Sequence, residues 1–271
     1  MKSNLSTTKI AEIVKEIKER ACLSYKPIGL SLIEKSGEIP KEARRPSERG
    51  QAWPICLAMN LVRTRGWTIA LTVDDNFCVL ASAGLGFIEL PDYLIRGGLG
   101  SHHTKTKELG IKLQNDLEKC FFKPGSKVGI VLTPATEPLF VPQGLMICGN
   151  PSQVGKIAKG IVWYRGEPVP ASAGGIGGCI VAAWATITDR KPRVVVPCSG
   201  EKILGHTEEN DIFLACPIEE LPDIVDGIKG TDFMLPYPTA KFMTFEPSVP
   251  KSYPIDLKTY QAWKESKSNQ P

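Results

Sequence analysis

The sequence has little of what marks several common classes of protein. Aromatic residues make up 7% of its 271 residues, and 33 Lys and Arg against 29 Asp and Glu leave a net charge of only +4. So few stacking side chains and so weak a charge argue against a nucleic-acid partner and fit small anionic molecules better. No apolar run approaches the roughly 20 residues that a bilayer span needs, so we expect no membrane partner. The N-terminus leads into a charged helix and not into an apolar segment, which predicts a cytoplasmic protein.

Several motifs that would name a reaction are also absent. The sequence has no GxGxxG after a strand, no GxxxxGK[ST] and no GxSxG. These absences argue against a dinucleotide fold, a phosphate-binding P-loop and a serine hydrolase of the nucleophile-elbow type. Whether the protein is an enzyme therefore stays open at the level of the sequence.

Cysteine, by contrast, is frequent, although no CxxC pair occurs. In a cytoplasmic chain these thiols should be reduced, so their number favours metal or redox chemistry. The alternative is that they fill small apolar gaps in the core. The eight cysteines are residues 22, 56, 78, 120, 148, 179, 198 and 216.

Glycine crowds around one of these cysteines. Gly174, Gly175, Gly177 and Gly178 precede Cys179, and an apolar run that predicts a buried helix follows. A bare backbone at the start of a helix favours an anion, and it lowers the pKa of a thiol placed there. We therefore predict that the four glycines bind an anionic cofactor or substrate and that Cys179 is a catalytic candidate. The alternative is a tight turn before a core helix.

Strands alternate with helices along the chain, which predicts an α/β (or α+β) fold with a mixed β-sheet and flanking helices. We expect one domain over residues 1–248, with a helical N-terminal section. The tail, 249–271, is rich in Pro, Lys and Ser and is predicted to be poorly ordered. The helices are predicted over residues 7–22, 53–65, 79–85 and 104–120, and the strands over residues 27–33, 67–73, 127–132 and 194–198.

The second half of the chain repeats itself faintly. Residues 145–151 and 212–217 each form a predicted strand with a cysteine near its end, Cys148 or Cys216, followed by a proline before a helical pattern. This pattern indicates two related strand–Cys–Pro–helix units.

Cysteines stand at the ends of several predicted strands. Ligands collect at the carboxyl ends of parallel strands, so parallel neighbours would gather these sulfurs at one edge. Three or four thiolates can hold zinc or an iron–sulfur cluster. Asp75, also at a strand end, is a candidate general base, with a turn or helix cap as its alternative role.

Six short segments give the sequence a resemblance to a known family. Taken together they are similar to the uncharacterised DUF169 family over residues 25–240. The segments are Lys26 to Leu30, Gln51 to Trp53, Cys78 with Ala83 to Gly86, Ser172 to Cys179, Cys198 to Gly200, and Ile212 to Pro217.

The resemblance implies a site built from cysteines. DUF169 members, found largely in archaea and anaerobic bacteria, carry cysteines at positions that match Cys78, Cys179 and Cys198. They often carry another just before the Gln-Ala-Trp element, where this chain has Gly50. Cys56 is then the candidate for the fourth metal ligand, and the expected cofactor is zinc or an iron–sulfur cluster.

Three hypotheses follow for the function. The first is a cytoplasmic protein whose cysteine-lined site binds a metal or iron–sulfur centre and acts on a small anionic substrate. The second is a metal-free protein that binds a small anion on the glycine loop. The third is a structural or assembly partner, for which a homo-oligomer is one form.

Overall fold

The computed structural model describes residues 5–95 and 100–231, together with residues 261 and 265. The chain divides into two compact units, Met1–Leu235 and Pro236–Pro271. All elements named below belong to the first unit. The predicted tail, 249–271, lies outside the described residues except for residues 261 and 265, so its disorder and the boundary at 248 stay predictions.

The described part of the first unit contains nine α-helices and seven strands. None of the described helices is both long and apolar enough to cross a membrane. The helices are α1 Thr7–Arg20, α2 Ile55–Arg65, α3 Val79–Gly84, α4 Asp92–Ile95, α5 Lys107–Glu118, α6 Pro151–Arg165, α7 Gly178–Trp184, α8 Ser199–Ile203 and α9 Leu221–Thr231. The strands are β1 Ile28–Ile33, β2 Ile69–Thr72, β3 Gly129–Pro134, β4 Gly144–Gly149, β5 Ala171–Ser172, β6 Arg193–Val195 and β7 Ile212–Pro217.

The strands form one mixed sheet in the order β2-β3-β1-β4-β7-β6-β5. Among the paired strands that the structure describes, only β5 and β6 are parallel. This sheet with its flanking helices confirms the predicted fold class. The parallel neighbours that we considered for the cysteine-bearing strands are not found: β4 and β7 are antiparallel, with Leu145 opposite Cys216 and Cys148 opposite Phe213. Cys148 and Cys216 therefore lie at opposite ends of this strand pair.

Alternate residues of the central strands enter two different cores, because successive side chains point to opposite faces of a sheet. Leu145 and Ile147 of β4 pack with α1, α6 and α9 on one face. Met146 and Cys148 pack with α2, α3, α5 and α7 on the other face. We call these the α1–α6–α9 face and the α2–α7 face.

The two units of the internal repeat lie side by side. β4 pairs with β7, and α6 packs on α9 at a crossing made by one glycine of each unit. A Cβ on Gly227 would stand 2.0 Å from the carbonyl oxygen of Gly160, so only glycine allows this approach. The spacing of Gly160 and Gly227 in the repeat is therefore a packing requirement of the α6–α9 contact.

Candidate cysteine site

Four cysteines from distant parts of the chain lie together where four helices begin. Cys56 and Cys179 are the second residues of α2 and α7. Cys78 and Cys198 are the N-caps of α3 and α8. The other three thiols are all close enough to Cys179 to oppose its ionisation. We call these four residues the cysteine cluster.

One glycine in α8 and one just after it let the chain run close to α2. A Cβ on Gly200 would stand 3.6 Å from the Sγ of Cys198 and 4.0 Å from the Sγ of Cys56. A Cβ on Gly205 would stand 3.1 Å from the Cβ of Cys56. The start of α8 and the start of α2 therefore present their sulfurs side by side.

A buried carboxyl group, that of Glu201, lies among the four thiols. It accepts a hydrogen bond from the backbone N–H of Cys198 at 2.5 Å and another from the backbone N–H of Cys179. Its Oε1 is buried and has no hydrogen-bond partner in the described part of the chain. Burial raises the pKa of Glu201. This side chain thus joins two elements of the cluster and leaves one acceptor unused beside them.

Sequence reasoning missed Glu201, although a signal was present. The spacing of an N-cap residue followed by Glu three positions later is that of a capping box, in which each residue bonds the backbone of the other. Cys198 and Glu201 make both of these bonds. Cysteine in the place of the usual Ser or Thr concealed the pattern.

Burial opposes the ionisation of all four thiols. Burial raises the pKa of Cys56 to about 12 and the pKa of Cys198 to about 11, and the charge of Glu201 adds to both effects. Burial also raises the pKa of Cys78, and the pKa of Cys179 lies well above its ordinary value. An activated nucleophile needs a lowered pKa, so this environment gives Cys179 no support for that catalytic role. A bound metal ion is the usual means of removing protons from such thiols.

Backbone N–H groups act in the opposite direction on three of the sulfurs. The first N–H groups of a helix have no partner within it, so a sulfur placed at its start can accept them. Such donors stabilise a thiolate and lower the pKa of the thiol. They come from Leu57 to Cys56, from Leu80 and Ala81 to Cys78, and from Gly178 and Glu201 to Cys198.

The arrangement of the cluster bears on the kind of metal it fits. Among the residues that the structure describes, no three His, Cys, Asp or Glu side chains stand where they could hold one metal ion. A single tetrahedral zinc needs its ligands within about 2.3 Å of one point. The four thiols, as they stand, do not meet this condition.

The predicted anion site at the start of α7 is filled by the protein itself. The N–H of Cys179 bonds the Glu201 carboxyl group, and the N–H of Gly178 bonds the sulfur of Cys198. A Cβ on Gly178 would stand 2.5 Å from Oε2 of Glu201, and Gly177 has a left-handed φ of 59°. These two glycines are explained by packing and backbone geometry. A Cβ on Gly174, by contrast, would contact only Leu113, at 3.9 Å, and the φ of Gly174 is not in the left-handed region.

Asp75 lies in a buried network and not in the cysteine cluster. Its side chain is fully buried and accepts hydrogen bonds from the guanidinium of Arg45 at 2.7 Å and from the backbone N–H groups of Ser47 and Thr72. Burial by itself would raise the pKa of Asp75, but these hydrogen bonds outweigh it and lower the pKa to about 2. A carboxylate with so many partners suits a structural role and not that of a general base.

The remaining cysteines in the described residues lie outside the cluster. Cys216 is buried in the sheet, and Cys22 is exposed after α1. Cys148 is buried within 3.0 Å of a guanidinium nitrogen of Arg63 and within 3.4 Å of a carboxylate oxygen of Asp211. Position along the strands therefore did not distinguish the clustered cysteines, whereas position at a helix start does.

Comparison with known proteins bears directly on the family. The model of DUF169, described as uncharacterised ArCR, matches residues 16–227, which include the whole cysteine cluster and Glu201. The chain belongs to the DUF169 family. A relative, the uncharacterised protein MJ0308 of Methanocaldococcus jannaschii, is 23% identical over 229 residues, which cover 83% of this chain and 96% of the relative. No solved structure matches the chain significantly.

Membership of DUF169 confirms the resemblance drawn from the six sequence segments. Neither the family description nor the relative carries a named function. The roles of the glycines and of the cluster cysteines as metal ligands therefore stay predictions.

Proposed function

We propose that the cysteine cluster holds an iron–sulfur cluster, with which this DUF169 protein carries out redox chemistry on a small anionic substrate in the cytoplasm. The observation that carries the proposal is the meeting of Cys56, Cys78, Cys179 and Cys198 at four helix starts. Four cysteine thiolates are the usual ligand set of [4Fe–4S] centres. Such a centre supplies one-electron transfer when bound.

The residues around the sulfurs suit this task. Backbone N–H groups at the helix starts would balance part of the negative charge of the thiolates, as such donors tune the potential of protein-bound clusters. The carboxyl group of Glu201 bonds the backbone at Cys179 and Cys198 and so fixes where α7 and α8 place their sulfurs. The partial exposure of Cys78, Cys179 and Cys198 leaves a path for electrons to reach the site.

The two other hypotheses have less support. A metal-free anion site at the start of α7 has to compete with Glu201, which already takes the N–H of Cys179. A purely structural role gives no reason for four cysteines from distant parts of the chain to meet at helix starts. Zinc remains the alternative metal, and the same experiment separates it from iron.

The test is the metal content of protein purified without oxygen. We expect brown protein with about four iron and four sulfide per chain, lost severalfold in Cys78→Ser and Cys198→Ser. Cys22→Ser, which changes an exposed thiol outside the cluster, is the matched control and should keep full iron content. One equivalent of colourless zinc would replace the iron–sulfur assignment by a zinc site. Protein that stays free of metal after reconstitution with iron and sulfide would contradict any metal centre here.

A further inference from the structure

A cavity of about 340 Å³ lies between α5 and the edge of the sheet formed by β5 and β6. Its walls are α5, residues 171–176 and residues 193–196. The volume is that of a small-molecule site, although at the lower end of the usual range of about 300–1,000 Å³. Apolar side chains share the lining with polar groups, and its charged side chains are Arg193 and Asp116.

Arg193 brings an incompletely bonded guanidinium to this cavity. One of its terminal nitrogens donates to the Ser172 hydroxyl at 3.3 Å, and the other pairs with Asp189 at 3.2 Å. Its buried Nε has no partner in the described part of the chain. A guanidinium has five N–H donors in a planar fork, so most of its capacity is unused. The ring of Trp184, 5.4 Å from the guanidinium carbon, helps to hold the group in place.

The backbone opposite Arg193 also has N–H groups that are not used in backbone hydrogen bonds with other described residues. Within the described residues, the N–H groups of Gly174 and Gly175 donate no backbone hydrogen bond. A side chain at Gly174 would approach only Leu113, at 3.9 Å, so packing does not explain why this residue is glycine. A bare main chain leaves room for a ligand to approach closely.

We infer that this cavity binds a small carboxylate, with Arg193 as the side chain that recognises it. A carboxylate matches the planar fork of a guanidinium, and free N–H groups can take its remaining lone pairs. A doubly charged phosphate fits less well, because the charge of Arg193 is shared with Asp189 and the carboxylate of Asp116 lines the same cavity. The ligand is therefore a monoanion of few atoms.

The cavity adjoins the cysteine cluster along two segments of chain. Ile176 lies three residues before Cys179, and Val196 lies two residues before Cys198. At no more than about 3.8 Å per residue, both walls come within about 11 Å of a cluster cysteine. A carboxylate bound here would stand beside the site of electron transfer. The role of this carboxylate as a substrate rests on the function proposed above. Its binding to the cavity does not depend on that function.

The test is binding of acetate and 2-oxobutyrate to the full chain, followed by ligand-detected NMR. Methyl acetate is the uncharged comparison probe, and the more highly charged succinate and inorganic phosphate should bind more weakly than the monoanions. We expect at least one carboxylate to bind with a Kd below about 10 mM and the ester not to bind. Arg193→Gln should weaken binding about tenfold or more, and Arg193→Lys should weaken it less. Arg20→Gln, on α1, is the control and should bind as the wild type does.

Two further variants keep the inference testable if Arg193→Gln does not fold. Gly174→Val should close part of the cavity and weaken binding, with an unchanged melting temperature because the space is open. Asp116→Asn should strengthen binding, since it removes a negative charge from the lining. Equal binding by folded Arg193→Gln and Gly174→Val, or no binding of any carboxylate, would overturn the inference. Cys78→Ser, measured in parallel, should lose its metal but still bind the carboxylate, so the two proposals can fail separately.

Discussion

The two faces of the sheet are built in different ways. The α1–α6–α9 face carries long helices with ordinary polar caps, such as Ser6 before α1 and Asn150 before α6, and a core of interlocking aliphatic side chains. The α2–α7 face carries several short helices, and sulfur stands at or beside the start of four of them. On the α1–α6–α9 face, the side chains of Ser6 and Asn150 accept hydrogen bonds from backbone N–H groups at the helix starts. The other face places cysteine sulfurs at its helix starts, so the candidate site lies on one side of the sheet.

The largest effect on the α2–α7 face is expected from a substitution of Arg63. This buried side chain pairs with Asp211 at 3.2 Å and donates to the carbonyl of His206 at 2.8 Å, so it fastens α2 to the chain after α8. Arg63→Met leaves Asp211 as an unpaired buried charge, and we expect it to lower the free energy of unfolding by about 3–5 kcal/mol. Urea denaturation measures the loss.

The double variant Arg63→Met/Asp211→Leu is the control for charge. It removes the unpaired carboxylate and should recover part of the lost stability. Because α2 carries Cys56 and α8 follows Cys198, both variants should retain less metal than the wild type. Full metal content in a folded Arg63→Met would show that this contact does not position the cluster.

A second test concerns Asp75, which holds the segment before α2. Its pKa is about 2 in the folded protein and about 3.8 when unperturbed, so its ionised form stabilises the fold. We expect Asp75→Asn to lower the free energy of unfolding by about 2 kcal/mol at pH 7. The stabilisation is complete above pH 3.8 and is lost as the pH falls through about 2. Denaturation of both proteins across this range measures the difference, and a gap that persisted at pH 2 would contradict the assignment.

A matched pair of glycines compares the two faces directly. Gly227→Ala would place a methyl group against the backbone of Gly160 on the α1–α6–α9 face, and Gly178→Ala would place one against the carboxylate of Glu201 on the α2–α7 face. We expect each to cost about 1–3 kcal/mol of stability. Only Gly178→Ala should lower the metal content, because it disturbs the cluster. Equal loss of metal in both variants would refute the division between the faces.

Much of the fold was available from the sequence because its signals are local. The helical spacing of Ile10, Ile13 and Ile17 predicts α1, and the run that contains Val131 predicts β3. The sheet order was not available, since pairing depends on contacts between distant strands that leave no local pattern. Elements as short as β5 and α8 carry too few residues to show a period.

The candidate site was predicted in part for the same reason. The four cysteines were chosen partly from the resemblance to DUF169, but the means proposed for gathering them, parallel strand ends, was wrong. The four cysteines come together because the starts of α2, α3, α7 and α8 are close in space. The sequence predicts where a helix starts along the chain, but not which helix starts are neighbours. Glu201 was missed because its capping box has cysteine where Ser or Thr is usual, and because the sequence does not mark an acid as buried.

The wide spacing of the cluster cysteines along the chain has a consequence for assembly. Cys56 and Cys198 enclose most of the described sequence, so an occupant that binds all four sulfurs ties α2, α3, α7 and α8 together as a cross-link does. An unfolded chain would have to close several long loops to offer the same four ligands, so an occupant of the proposed site would bind the folded chain far better than the unfolded one. Binding of an occupant should raise the free energy of unfolding, and a lower Kd should give a larger increase.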